Sequence, residues 1–136
     1  EIHLENYCEV AGIEARTMID MVKRNIFPAV IRFSGDVAKA VGCKKAALPD
    51  LDCSDEEALV RRLSGLSAEM MRQTAALEAA LAGVQFADAY EAAHYYKYTV
   101  FAIMDALRAA VDSLEVITSA EYWPYPSYTD LLFSVK

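Results

Sequence analysis

From Val100 to Ile117 the chain commits to a helix. Val100, Ile103, Leu107, Val111 (with Ala110), Leu114 and Ile117 recur at steps of three and four residues, which lines them along one helix face. Asp105, Arg108, Asp112 and Glu115 fall mostly between them. The helix cannot run on into the stretch Tyr122-Trp-Pro-Tyr-Pro-Ser-Tyr-Thr-Asp-Leu-Leu-Phe133, because Pro124 and Pro126 lack a backbone donor and fix φ. That stretch is still dense in Trp, Tyr, Leu and Phe. A tail this aromatic docks on a surface. The first surface to consider is the chain's own bundle; another domain or subunit is the next.

The rest of the chain supplies such a bundle. With 136 residues, 55% hydrophobic and 24% charged, it has the size of one domain and is too apolar for disorder. A formal net charge of −7 and the lack of a basic stripe argue against a nucleic-acid partner; Lys44-Lys45 is too short a run. No apolar run has the length of a bilayer span and no signal peptide is expected, so no membrane partner is expected. Cys8, Cys43 and Cys53 are odd in number and irregularly spaced, which reads as free thiols in a reducing cytoplasm. The chain opens on Glu1-Ile-His-Leu-Glu with a helical pattern running by Leu4 and no capping residue before it, the pattern of a piece cut from a longer protein.

Taken in order, Leu4, Tyr7 or Cys8, Ala11, Ala15, Met18, Val22 and Ile26 mark a first helix, with Asp20 able to pair with Lys23 or Arg24 on its outer side. Pro28 should kink or split that helix and push Phe27 out of the α region. Val30, Ile31, Val37 and Val41 carry it on to Gly42, expected to end it. Residues 43–52, with Pro49, read as a loop. Ser54-Asp-Glu-Glu57 has the spacing of a capping box, and Leu59, Leu63, Leu66, Met70, Leu77, Leu81 and Val84 stripe a second helix that stops at Gly83. Asp88 is positioned to cap a third helix, from about Ala89 to Thr118. Strand signals and internal repeats are absent. The expected fold is all-α: an antiparallel up-and-down bundle of three long helices, the first kinked or split at Pro28, with a Pro/aromatic C-terminal tail. It forms a single helical domain over residues 1–136.

No catalytic constellation stands out, so no catalytic, cofactor-binding or metal residue is assigned. Glu91-Ala-Ala-His94 has the Glu-x-x-His spacing of bundle metal sites, but these use the motif twice, and His3 is the only other histidine. A packing or surface role for His94 is the simpler reading. Asp105, Arg108, Asp112 and Glu115 read as a solvated face with internal ion pairs; alternatively Arg108 anchors to an acid of the first helix such as Glu14. Tyr95-Tyr-Lys-Tyr98 reads as core plus rim packing, with a binding patch as the lesser alternative. There is no Gly-rich phosphate loop, Gly-x-Ser-x-Gly or His-Glu-x-x-His.

Three stretches resemble the C-terminal helical region of type III glutamine synthetases, the large-subunit form of that enzyme. The first is Tyr7 through Met21, with Glu14, Met18 and Met21, running on through Ile26-Phe-Pro28-Ala-Val30. The second is Met104-Asp-Ala-Leu-Arg108, then Val111-Asp112 and Leu114-Glu115. The third and most specific is Trp123-Pro124-Tyr-Pro126-Ser-Tyr128-Thr-Asp-Leu-Leu132-Phe133. They stand in the family's order along almost the whole chain, while the middle helix resembles the family in pattern only.

The resemblance implies a parent that joins ammonia to glutamate with ATP and Mg2+ or Mn2+, in the cytoplasm, as a ring-shaped homo-oligomer. The family's catalytic motifs are missing from this chain. It is therefore expected to be a non-catalytic C-terminal domain that supports packing, oligomer assembly or regulation. Its partners would be the catalytic domain of the same chain and neighbouring subunits. The competing readings are a free-standing helical module that receives a partner helix, and a metal-dependent bundle enzyme.

Overall fold

The computed structural model describes residues 2–86 and 88–126. Helix α1 (Ile2–Met21) passes through a π-helical turn (Val22–Ile26) into α2 (Phe27–Ala47); α3 (Ser54–Ala82) follows; then α4 (Ala89–Tyr95) passes through a second π-helical turn (Tyr96–Val100) into α5 (Phe101–Ile117). The chain thus forms three helical rods, all-α as expected, with no strand among the described residues. No described helix is long and apolar enough to cross a membrane.

Pro28 does not split the first rod. Helical backbone is continuous from Ile2 to Ala47, and Phe27, expected to leave the α region, stays in it at φ −58°, ψ −48°. The reason lies one turn earlier. Pro28 has no N–H to offer the Arg24 carbonyl, and its ring crowds that oxygen. The turn just before it is widened, with the Phe27 N–H reaching the Val22 carbonyl five residues back.

Gly42 does not end α2 either. It lies inside the helix, which runs to Ala47 with Leu48 as its cap. The last turn is held from outside, where Lys44 and Lys45 pair with Glu56 and Glu57 at 2.8 and 3.3 Å.

The capping box at Ser54 is likewise not formed. Cys53 occupies the cap position without a side-chain bond. The Asp52 carboxylate accepts the Ser54 N–H at 3.0 Å and also the Ser54 hydroxyl, so that hydroxyl is turned away from the Glu57 amide. Asp88 does cap the third rod, its carboxylate accepting the Glu91 N–H at 2.8 Å, and Gly83 does close α3.

The core runs the length of the bundle. Leu63, Met70 and Leu77 of α3 face Leu107 and Leu114 of α5, all five fully buried. On the third rod the buried line is Val100, Met104, Leu107, Ala110 and Leu114, with Ile103, Val111 and Ile117 only half-buried along its edge. The first rod contributes Ala11, Ala15, Val22, Ile26 and Val30. Its small residues let the rods approach closely. A side-chain carbon placed on Gly12 would stand 3.1 Å from the Tyr96 hydroxyl. The three thiols are free, with Cys53 buried and Cys43 exposed.

Candidate interaction surfaces

The first candidate surface is where the tail meets the first rod. The chain leaves α5 at Thr118, and the N–H groups of Tyr122 and Trp123 both bond the Ser119 carbonyl, at 2.9 and 3.0 Å. This compact turn aims the aromatics at α2. The Tyr122 ring lies 5.1 Å from that of Phe33, with the Arg32 guanidinium 5.9 Å above it. Its hydroxyl donates to Asp36 at 2.5 Å, and this bond raises the phenol's pKa above its ordinary value. Asn25 donates to the Tyr125 hydroxyl at 2.9 Å, and Trp123 and Tyr125 pack half-buried on the core. Pro124 and Pro126 are exposed. Tyr128, Leu132 and Phe133 lie outside the described residues.

The other residues singled out in the sequence spread across the bundle. Met104 is core; Met18 and Met21 are half-buried; Glu14, Pro28, Arg108 and Asp112 are exposed. Arg108 does not pair with Glu14. It pairs within its own helix with Asp105 at 3.1 Å, while its other nitrogen lies 3.8 Å from the Met18 sulfur on the first rod. Arg108 carries a flexible four-bond stem, and an acid one turn back on its own helix is the nearer partner. Asp20 pairs with Arg24 at 2.8 Å, whereas Lys23 crosses to Glu78 of α3 at 2.5 Å.

A second surface is weakly legible in the sequence, through Tyr95-Tyr-Lys-Tyr98. Tyr95 and Tyr96 turn inward and Tyr98 outward. Around Tyr98, the start of α1 and one face of α4 border an open hollow of about 640 Å³ lined by His3, Leu4, Tyr7, Tyr90, His94 and Lys97 among others. A neighbouring hollow of about 590 Å³ shares Tyr90, His94 and Tyr98 and extends to Phe86. His94 stacks on Tyr98 with ring centres 4.5 Å apart. What marks this surface in the sequence is Tyr90, His94 and Tyr98 at four-residue steps, a period that also suits a core stripe. A third hollow, of about 560 Å³, lies between α2 and α3 and is walled by Phe27, Ile31, Ser34, Gly35, Ser67 and Met71 among others.

Among the described residues no three His, Cys, Asp or Glu side chains converge as a metal site would need, and Glu91 and His94 stand without such company. No chemical step is assigned to this chain.

The glutamine synthetase C-terminal domain family model matches residues 1–45. Over its full length the chain is 34% identical to a glutamine synthetase of Butyrivibrio fibrisolvens, of which the match covers 20%. It is 25% identical, over 98% of its length, to 19% of a glutamine synthetase of Bacteroides fragilis (strain YCH46). The chain thus spans about a fifth of the length of the curated relatives it matches. No solved structure matches it significantly.

Proposed function

We propose that the chain is the C-terminal domain of a glutamine synthetase, and that it serves a type III enzyme of the cytoplasm as a non-catalytic packing and assembly module. The parent would join ammonia to glutamate with ATP and Mg2+ or Mn2+. This domain would pack on the catalytic part and steady the contacts between subunits of a homo-oligomer. The observation that carries the reading is the ratio of the matches, which take in 98–100% of this chain and only about a fifth of each relative. We read the three rods as an up-and-down bundle. Lys23, in the π-helical turn before α2, pairs with Glu78 near the end of α3, and Lys44, near the end of α2, pairs with Glu56 at the start of α3, which supports opposed directions for the first two rods.

The test compares the full-length parent with a version cut before the residue equivalent to Glu1, together with the isolated chain. Light scattering gives the oligomer mass, and glutamine formation gives the activity. The isolated chain is expected to make no glutamine, and the truncated parent to lose its native oligomer mass. Glutamine formed by the isolated chain overturns the reading, as does an unaltered oligomer and activity after truncation.

A further inference from the structure

We propose that the aromatic corner of α1 and α4 is where the remaining polypeptide of the parent seats, through an apolar segment. The inference rests on the assembly reading above and names the surface it uses.

The corner is open and aromatic. Tyr90 is 71% exposed, Tyr98 61% and Phe86 39%, the first two far beyond what packing within the bundle needs. Tyrosine is among the residue types enriched where protein surfaces bury one another, since it offers large area and a hydroxyl for few rotatable bonds. Part of the ordering is already in place. His94 stacks on Tyr98, and the Lys97 ammonium sits 5.4 Å from the centre of the Tyr98 ring. A surface ordered in advance loses less side-chain freedom on docking.

Charge at the corner is balanced. Lys97 lines the α1-side hollow and Glu91 the neighbouring one, so the aromatic side chains dominate the surface and suit an occupant that docks through apolar side chains.

Length identifies the occupant. About four-fifths of each relative lies outside the matched region. In a protein of that kind the remainder is covalently joined to this domain. Its effective concentration at the surface is in the millimolar range for a short flexible link, so a modest patch suffices to hold it.

Tyrosine nitration mapped by mass spectrometry tests the assignment, on the isolated chain and on the full-length parent. Tyr90 and Tyr98 should label at least tenfold more slowly in the parent. A parent carrying Tyr90→Ser and Tyr98→Ser should show faster hydrogen exchange in its catalytic part, while the same changes leave the melting of the isolated chain unaltered. If the parent protects other exposed parts of this chain, such as the outer face of α1, but labels Tyr90 and Tyr98 at the isolated-chain rate, the corner is not the seat and the assembly reading stands. If nothing on the chain is protected, both fall. Protection that appears in the isolated chain and grows with its concentration assigns the corner to a second copy and overturns the inference.

Discussion

The Tyr95 hydroxyl donates a 2.8 Å hydrogen bond to the Ala80 carbonyl oxygen, joining the start of the third rod to the last turn of α3. Carbonyls in a last helical turn lack partners within the helix. Ala80 also receives the Gly83 N–H at 3.2 Å, so its oxygen serves both the helix stop and the neighbouring rod. Tyr95→Phe keeps the ring on Phe86 and removes the bond. It should cost about 1 kcal/mol, read as a lower urea midpoint with an unchanged slope.

Two glycines inside the first rod should respond oppositely to alanine. Gly42 has nothing within 4 Å of an added side-chain carbon, so Gly42→Ala should stabilise by up to about 1 kcal/mol through helix propensity. At Gly12 the same carbon would meet the Arg16 guanidinium at 3.0 Å and the buried Tyr96 hydroxyl at 3.1 Å. Arg16 can swing aside and Tyr96 cannot, so Gly12→Ala should lower the melting temperature. Thermal melts of both variants check the pair; a destabilised Gly42→Ala would show that Gly42 acts as a helix stop after all.

Thr118 has a buried hydroxyl oxygen with no hydrogen-bond partner among the described residues. Replacing an unpartnered hydroxyl by a methyl removes a desolvation cost of about 1–3 kcal/mol. Thr118→Val should therefore be neutral or stabilising in urea titration. A clear loss of stability would reveal a partner for that oxygen.

Acid should loosen the α2–α3 end first. The hydrogen bond from Lys44 lowers the Glu56 pKa below its ordinary 4.5, and Ser54 lowers that of Asp52 below 3.8. A folded-state value below the unfolded one contributes stability above the unfolded value and loses it as pH falls through the folded one. Hydrogen exchange at residues 44–57 should therefore accelerate as pH drops below about 4.5, after correction for the intrinsic rate. Glu56→Gln should flatten that dependence.

Trp123 is the one tryptophan of the chain, so its emission reports the tail alone. Asp36→Ala removes the acceptor of Tyr122, and Asn25→Ala the donor to Tyr125. Either should shift the emission to the red by exposing the indole, and the double variant further. An unchanged spectrum in the double variant would mean that Trp123 packing alone seats the tail.

The sequence by itself determined the helical class, the start of the third rod at the Asp88 cap, the close of α3 at Gly83 and most core positions. These rest on periodic burial and on bonds within a few residues, which hold wherever the segment sits. Tertiary structure decided the fates of Gly42, Pro28 and Ser54. Each carries a local preference of a few kcal/mol at most. Lys44 and Lys45 meeting the acids of α3 accompany a helix that runs past Gly42, a widened turn lets it through Pro28, and the Asp52 carboxylate takes the Ser54 hydroxyl before it can cap. The same holds for Arg108, whose partner depends on which acid the folded helix sets within reach. The aromatic corner, too, was only partly legible, because a four-residue step of Tyr90, His94 and Tyr98 marks a shared face without saying whether the bundle or the solvent lies against it. That choice belongs to the packing of α1 on α4.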